Sequence, residues 1–206
     1  MLALGALWAG LAGLAQAGAY DEFLRALRGD DARSVRALLV RGFDPNAPDA
    51  KGHPALLVAI RDGSLAVAEV LLSHPDIQLD SANGSGETAL MMAALQGNVD
   101  WVKRLLERGA SVNRTGWTPL HYAASGPELS VVALLLERGA ALDASAPNGN
   151  TPLMMAAAYG AQDAAVLMLE KGADPRVRNR AGNTAIDFAL RAGRDRLAAR
   201  MEKFTR

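Results

Sequence analysis

Cysteine is absent from the 206 residues, which excludes disulfides, thiolate zinc sites and a cysteine nucleophile. Neither sign of charge is in excess, because 22 Lys and Arg balance 22 Asp and Glu. The chain as a whole therefore lacks the cationic surplus of a nucleic-acid binder. β-Branched apolar residues are scarce, with 15 Val and Ile against 41 Ala and 30 Leu. That scarcity argues for helices over strands, since Ala and Leu lead the helix ranking and β-branched residues the strand one. Twenty glycines and nine prolines must then cut the helical material into many short pieces. Half of the residues are apolar, which rules out intrinsic disorder. The length suits one ordinary domain or two small ones.

Charge is also missing from the start of the chain. The first charged residue is Asp21, after a Leu/Ala/Gly-rich stretch that ends in Ala15-Gln16-Ala17. An apolar core followed by small residues has the form of a secretory signal, with cleavage expected after Ala17. The stretch is short and glycine-rich for a membrane span, and no Lys or Arg precedes it. The expectation is a periplasmic or secreted protein, a setting in which a cysteine-free chain cannot mispair. The alternative is an uncleaved anchor that makes the protein a membrane-attached scaffold.

Self-comparison organises the remainder. Gly52-His53-Pro54-Ala55-Leu56, Gly86-Glu87-Thr88-Ala89-Leu90, Gly116-Trp117-Thr118-Pro119-Leu120, Gly149-Asn150-Thr151-Pro152-Leu153 and Gly182-Asn183-Thr184-Ala185-Ile186 are versions of one motif. Their third residues stand at 54, 88, 118, 151 and 184, spaced by 34, 30, 33 and 33. A second motif keeps the same frame, as in Leu105-Leu106-Glu107-Arg108-Gly109 and Leu135-Leu136-Glu137-Arg138-Gly139. Repetition at this period is the mark of a repeat architecture. Each unit reads as two antiparallel helices. Thr caps the first, and Pro follows where its missing N–H costs nothing. Ala pairs at 93–94, 123–124 and 156–157 allow first helices to approach closely. Gly63, Gly97, Gly160 and Gly193 are expected to end those helices in the left-handed conformation.

Gly-x-Thr-Pro-Leu-His-x-Ala-Ala at 116–124, followed by Leu-Leu-Leu-Glu-Arg-Gly-Ala at 134–140, closely resembles the ankyrin repeat. The resemblance covers roughly residues 20 to 204. It implies an all-α fold, an ankyrin-repeat solenoid of stacked helix-turn-helix units with short hairpin-like fingers, stabilised by neighbour interfaces. The expected organisation is a signal peptide at 1–17 and a repeat domain at 18–206. Within it lie an N-cap unit at 20–47, repeats at about 48–82, 83–113, 114–145 and 146–178, and a C-cap unit at 179–206. Only six residues separate Gly109 from Gly116, against nine in the corresponding segments after Gly42, Gly139 and Gly172. The finger around Asn113-Arg114-Thr115 is therefore expected to be cut short.

Catalytic signatures are not found. HxxxH, HExxH, GxSxG and GxxxxGK[ST] are all missing, so no metal, cofactor or catalytic residue is expected. His121 sits at the family's Thr-Pro-Leu-His position, which implies a structural hydrogen bond with Thr118. The paired methionines Met91-Met92 and Met154-Met155 read as core filling between helices, with a Met-rich interface as the alternative.

The family's mode of binding implies a protein partner held by the finger tips and the concave face. The matching positions here are His53, Glu87, Trp117, Asn150 and Asn183 on the fingers, and Arg61, Asp62, Leu95, Gln96, Tyr159 and Arg191 on the first helices. Trp117 is either a binding hot spot, in an apolar strip with Leu95 and Tyr159, or a ring folded over the truncated finger. The balanced net charge conceals an asymmetry. From Lys171 onward there are ten Lys and Arg against four Asp and Glu. Arg176, Arg178 and Arg180, with Arg191, Arg194 and Arg196 nearby, form either a solvated cap or a dock for an acidic partner or an anionic membrane surface. Nucleic acid is not expected, because no aromatics interleave this patch. The expected state is a monomer.

Overall fold

The computed structural model describes residues 17–204. The expected export signal thus falls almost wholly outside the described residues, with only Ala17 inside. Among the described residues there are twelve helices and no strand, and no helix is long and apolar enough to cross a membrane. The chain divides after Gly84 into two compact units.

The first unit holds α1 (17–28), α2 (Ala32–Val40), α3 (Ala55–Asp62) and α4 (Leu65–Leu72). Phe23 and Phe43, with ring centroids 4.7 Å apart, anchor α1 to the loop after α2. Asp30 has a positive φ of 51°, a conformation that Asp tolerates better than most residues. Its Oδ1 accepts the Val67 N–H at 2.9 Å, satisfying one of the free amides at the start of α4. The Asp49 carboxylate gathers the N–H groups of Lys51 and His53 at 2.8 and 2.9 Å and so folds the finger that precedes α3.

The second unit holds α5 (Ala89–Leu95), α6 (Val99–Glu107), α7 (Pro119–Ser125), α8 (Leu129–Glu137), α9 (Pro152–Ala158), α10 (Gln162–Glu170), α11 (Ala185–Arg191) and α12 (Asp195–Lys203). The first helices of successive repeats, α5, α7, α9 and α11, pack side by side. α6, α8 and α10 form a second row behind them. The Ala pairs allow the close approach: Ala93, Ala94, Ala123, Ala124, Ala156 and Ala157 are all fully buried. Leu90, Leu120, Leu135 and Leu153 fill the space between the rows. The expected caps form at Thr88 and Thr151, whose hydroxyl oxygens accept the Met91 and Met154 N–H groups at 3.4 Å.

One glycine expectation is corrected. Gly63, Gly97 and Gly193 take left-handed φ of 79°, 70° and 69°, but Gly160 does not. Its requirement is space, since a Cβ there would run into the backbone of Ala124.

The fingers also differ among themselves. Residues 146–150 and 179–183 close as small hairpins, with Ala146 N–H donating to the Asn150 carbonyl and Asn179 N–H to the Asn183 carbonyl at 2.9 Å each. No such pair closes 113–117, in keeping with its missing residues. Asn113 instead reaches the next repeat: its Nδ2 donates to the Gly139 carbonyl and its Oδ1 accepts the Ala141 N–H, both at 2.8 Å. Asn46 makes the same two bonds with the Asp76 carbonyl and the Gln78 N–H, at 2.9 and 2.8 Å.

Asp143 holds the corresponding place after Gly139 and completes only half of this bridge, accepting the Asp174 N–H at 3.4 Å. An ionised carboxylate has no hydrogen to offer the Gly172 carbonyl. Partial desolvation raises its pKa from the ordinary carboxylate value, against the Asp174 N–H bond, and the nearby Asp174 charge adds to the rise. Protonation is therefore favoured in the folded chain, and this group adds stability as the pH falls through its raised pKa. Asp143→Asn is expected to complete the bridge and stabilise the fold by about 0.5–1.5 kcal/mol at pH 7. The gain should shrink toward pH 4. Thermal unfolding of both proteins at the two pH values measures this, and an equal or lower melting temperature at pH 7 contradicts it.

Candidate functional site

The finger shortened before α7 uncovers a depression on the face formed by the first helices. It encloses about 200 Å³ and is lined by Leu95, Trp117, His121, Tyr122, Ser125 and Met155. These residues come from three successive repeats. Trp117 stands with its ring edge-on to His121 at 5.2 Å and to Tyr122 at 6.5 Å between centroids. The tryptophan is half-buried, packed at its base yet still part of the wall. The ring is thus neither fully folded over the shortened finger nor fully exposed.

The polar side-chain atoms of His121, Ser125 and Tyr122 are already engaged. His121 Nδ1 accepts from the Thr118 hydroxyl at 2.8 Å and the Thr118 N–H at 3.2 Å. Its Nε2 lies 3.0 Å from the Asn150 carbonyl, and a carbonyl can only accept, so the ring proton is on Nε2. Burial lowers the His121 pKa, against the pull of the Asn150 and Ala144 carbonyls. The ring is accordingly a neutral structural tie. Ser125 donates to the His121 carbonyl at 3.0 Å, and the Tyr122 hydroxyl donates to Glu87 Oε1 at 3.0 Å. Burial first, and the Glu87 charge second, push the Tyr122 pKa upward. Arg114, from the cut finger, works in the opposite direction on Tyr122, and its own Nη1 is buried without a hydrogen-bond partner. What the pocket offers a visitor is Leu95, Met155 and the aromatic faces. It is an apolar socket.

The match to known proteins follows the same frame. A family model described as ankyrin repeats, three copies, matches residues 23–115, 75–146 and 111–179, overlapping along most of the chain. The chain belongs to the ankyrin-repeat family. It is 34% identical over 98 residues to a poly [ADP-ribose] polymerase tankyrase of Caenorhabditis elegans, covering 44% of this chain and 4% of that one. With ankyrin repeat and SAM domain-containing protein 6 of Mus musculus it shares 38% over 91 residues, 44% of this chain and 9% of the other. With NF-kappa-B inhibitor alpha of Rattus norvegicus it shares 34% over 84 residues, 38% and 27% respectively. The chain spans less than a third of the length of each of these relatives. Ankyrin repeats mark it as a protein–protein interaction module.

The ankyrin frame places the expected contact residues unevenly. In the first unit, His53, Arg61 and Asp62 come together: Arg61 pairs with Asp62 at 2.7 Å, and its Nη1 lies 3.4 Å from His53 Nδ1. In the second unit, Leu95 and Trp117 share the pocket, Glu87 binds its Tyr122 wall, and Gln96 is exposed at the end of α5. Asn183 accepts from Arg191 at 2.7 Å.

Three expectations are corrected. Asn150 is only 8% exposed; its Oδ1 accepts from Asn179 at 2.8 Å, and its carbonyl faces His121, so it binds neighbouring repeats together. Tyr159 is 66% exposed but does not line the pocket, because it lies beyond the last turn of α9, where Met155 takes the wall position instead. The basic cluster is smaller than expected. Arg176 pairs with Asp174 at 2.9 Å, and Arg194 donates to the Ala156 and Gly160 carbonyls at 3.0 and 2.8 Å.

Tyr122 was not singled out as a binding residue by the sequence, and Met155 was read there first as core. A signal existed, since Tyr122 and Met155 are each four residues past their capping Thr and share one helix face. No group of three or more His, Asp or Glu side chains able to hold a metal ion occurs among the described residues.

Proposed function

We propose that this chain is a non-enzymatic binding protein, exported to the periplasm or beyond, that holds another protein on the finger and first-helix face of its second unit. Its role is that of an adaptor, inhibitor or protector of that partner. The observation that carries the reading is the Trp117 pocket, a mainly apolar socket in which the polar groups of His121, Ser125 and Tyr122 are engaged within the fold. Such a surface gains from covering by an apolar group and has no free acid, base or nucleophile with which to transform it. The N-terminal sequence supports export, with Gly18 as the first residue of the mature chain.

The reading is tested on protein recovered from the periplasmic fraction of its host, its N-terminus fixed by mass spectrometry. The partner is cross-linked and identified, and its affinity is compared for the parent and Trp117→Ala. Truncating a central anchor is expected to cost at least about 2 kcal/mol, a loss of roughly thirtyfold in affinity, with an unchanged helical circular dichroism signal. Unaltered affinity would remove the pocket from the interface.

A further inference from the structure

The inner face of the second unit carries charge as well as a socket, and the repeat frame fixes their relation. Leu95, Ser125 and Arg191 each lie seven residues after their own capping Thr, and Trp117 and Asn183 each lie one before. Arg191 and its partner Asn183 are therefore the α11 counterparts of the residues that build the pocket wall, displayed on the same face two repeats further on. Beside them are the exposed Arg178 and Arg180. Arg178 donates to the Gly182 carbonyl at 2.6 Å, a neutral acceptor that leaves its charge in place. The carboxylate facing this group is Asp187, already held by the Thr184 N–H and hydroxyl at 2.7 and 2.8 Å. Two guanidinium groups, those of Arg178 and Arg191, thus face one carboxylate already held by Thr184, and the exposed Arg180 lies on the same finger. At the opposite end of the face, Glu87 is held by Tyr122.

Neighbouring packed helices are about 8–10 Å apart, so α7 and α11, with α9 between them, are separated by roughly 16–20 Å. An extended chain covers that span in about five or six residues. The pocket, at about 200 Å³, is smaller than the usual small-molecule site of roughly 300–1,000 Å³. It is suited to one large side chain. The Glu87 and Arg114 charges oppose one another at Tyr122, so the socket favours no charged side chain, and the polar groups of His121, Ser125 and Tyr122 are engaged within the fold.

We propose that this face binds an extended acidic polypeptide segment, with one large aliphatic side chain seated against Trp117, Leu95 and Met155 and carboxylates five or six residues away held by Arg178, Arg180 and Arg191. This rests on the protein-binding reading above and adds the chemistry and spacing of the ligand. The arginines supply charge complementarity and steering, and the socket fixes the register.

The test is selection of a random twelve-residue peptide library on the folded full-length chain. Fluorescence anisotropy of the most enriched peptide follows, at two salt concentrations. The expected result is enrichment of an aliphatic residue with Asp or Glu five or six positions away. Affinity should fall at least tenfold with Trp117→Ala, fall likewise with Arg178→Gln/Arg191→Gln, and weaken with salt. The Arg178→Glu/Arg191→Glu chain should select Lys or Arg at the same spacing. Melting temperatures guard against loss of the α11–α12 cap, and the Gln and Glu variants fail differently if the cap rather than the charge is at stake. Enriched peptides without acidic residues, acidic enrichment retained by the Glu variant, or no enrichment at all overturns the proposal. A natural partner that is cross-linked through Trp117 in the same circumstances leaves the protein-binding reading standing. A partner insensitive to Trp117 overturns the proposal and removes the pocket from the interface, leaving only protein binding elsewhere on the chain.

Discussion

Gly160→Ala is expected to be the most damaging single-methyl change in the second unit, with a loss of about 3–5 kcal/mol. The added Cβ would fall on the Ala124 carbonyl oxygen, and it would stand 3.0 Å from the Ala124 carbonyl carbon and 3.2 Å from Ala156 Cα. All three are backbone atoms, so no side chain can swing aside. The junction is closed from the other side as well, because the Gly160 carbonyl accepts from Arg194. Either α7 and α9 move apart, opening the Ala-lined seam, or the end of α9 unwinds. Gly172→Ala provides the comparison. It has a φ of 98° and nothing within 4 Å of the added methyl, so it risks only the left-handed backbone penalty of roughly 1–2 kcal/mol. Urea unfolding of the two variants separates the mechanisms. Equal midpoints would mean that backbone conformation, and not the approach of α9 to α7, is what Gly160 serves.

His121→Leu is expected to cost about 2–4 kcal/mol, since it leaves the buried Thr118 N–H and hydroxyl without their acceptor and takes one of two donors from the Asn150 carbonyl. It should also remove a pH dependence. The folded ring has its pKa lowered by burial, so the unfolded chain takes up a proton first, near the ordinary histidine value of 6.5. Stability from this group is fully present above that value and is lost as the pH falls toward the lower folded pKa. Melting temperatures measured downward from pH 7.5 should therefore fall more steeply for the parent than for His121→Leu. Parallel profiles would show that the histidine is not neutral in the fold.

His121 also shows how much was legible in advance. Its place in the Thr-Pro-Leu-His motif gave the bond to Thr118, because capping chemistry is local in sequence. The bond to Asn150 crosses 29 residues and depended on how the next finger folds. The sequence therefore placed Asn150 at the surface, although the structure buries it. The same contrast runs through the repeat. Helix number, caps, second-helix glycines and the short third finger all followed from spacing, since each is written within one period. At 151–154 the motif persists with a different atom, for the Met154 sulfur accepts the Thr151 N–H at 3.4 Å where His121 uses nitrogen. Gly160 was misread because its neighbour in space is Ala124, one repeat away. The pocket was half legible. Trp117 and Leu95 were named from their register, while Tyr159 stands eight residues after Thr151, one past the position of Leu95 and Ser125 that α9 fills with Ala158, and Met155 completes the wall instead. Arg194 looked like surface charge until the carbonyls it ties became visible.

The seat of the Trp117 pocket has one more consequence. Its wall is assembled from α5, α7 and α9, and in a repeat array each helix pair is held mainly by its neighbours. On the proposed reading, grip on a partner would exist only while three consecutive repeats stay docked, and a bound partner would in turn disfavour their separation. Fraying at either side of α7 would then let go of the cargo before the chain as a whole unfolds. Such a module would inspect itself, because only an intact copy could hold on.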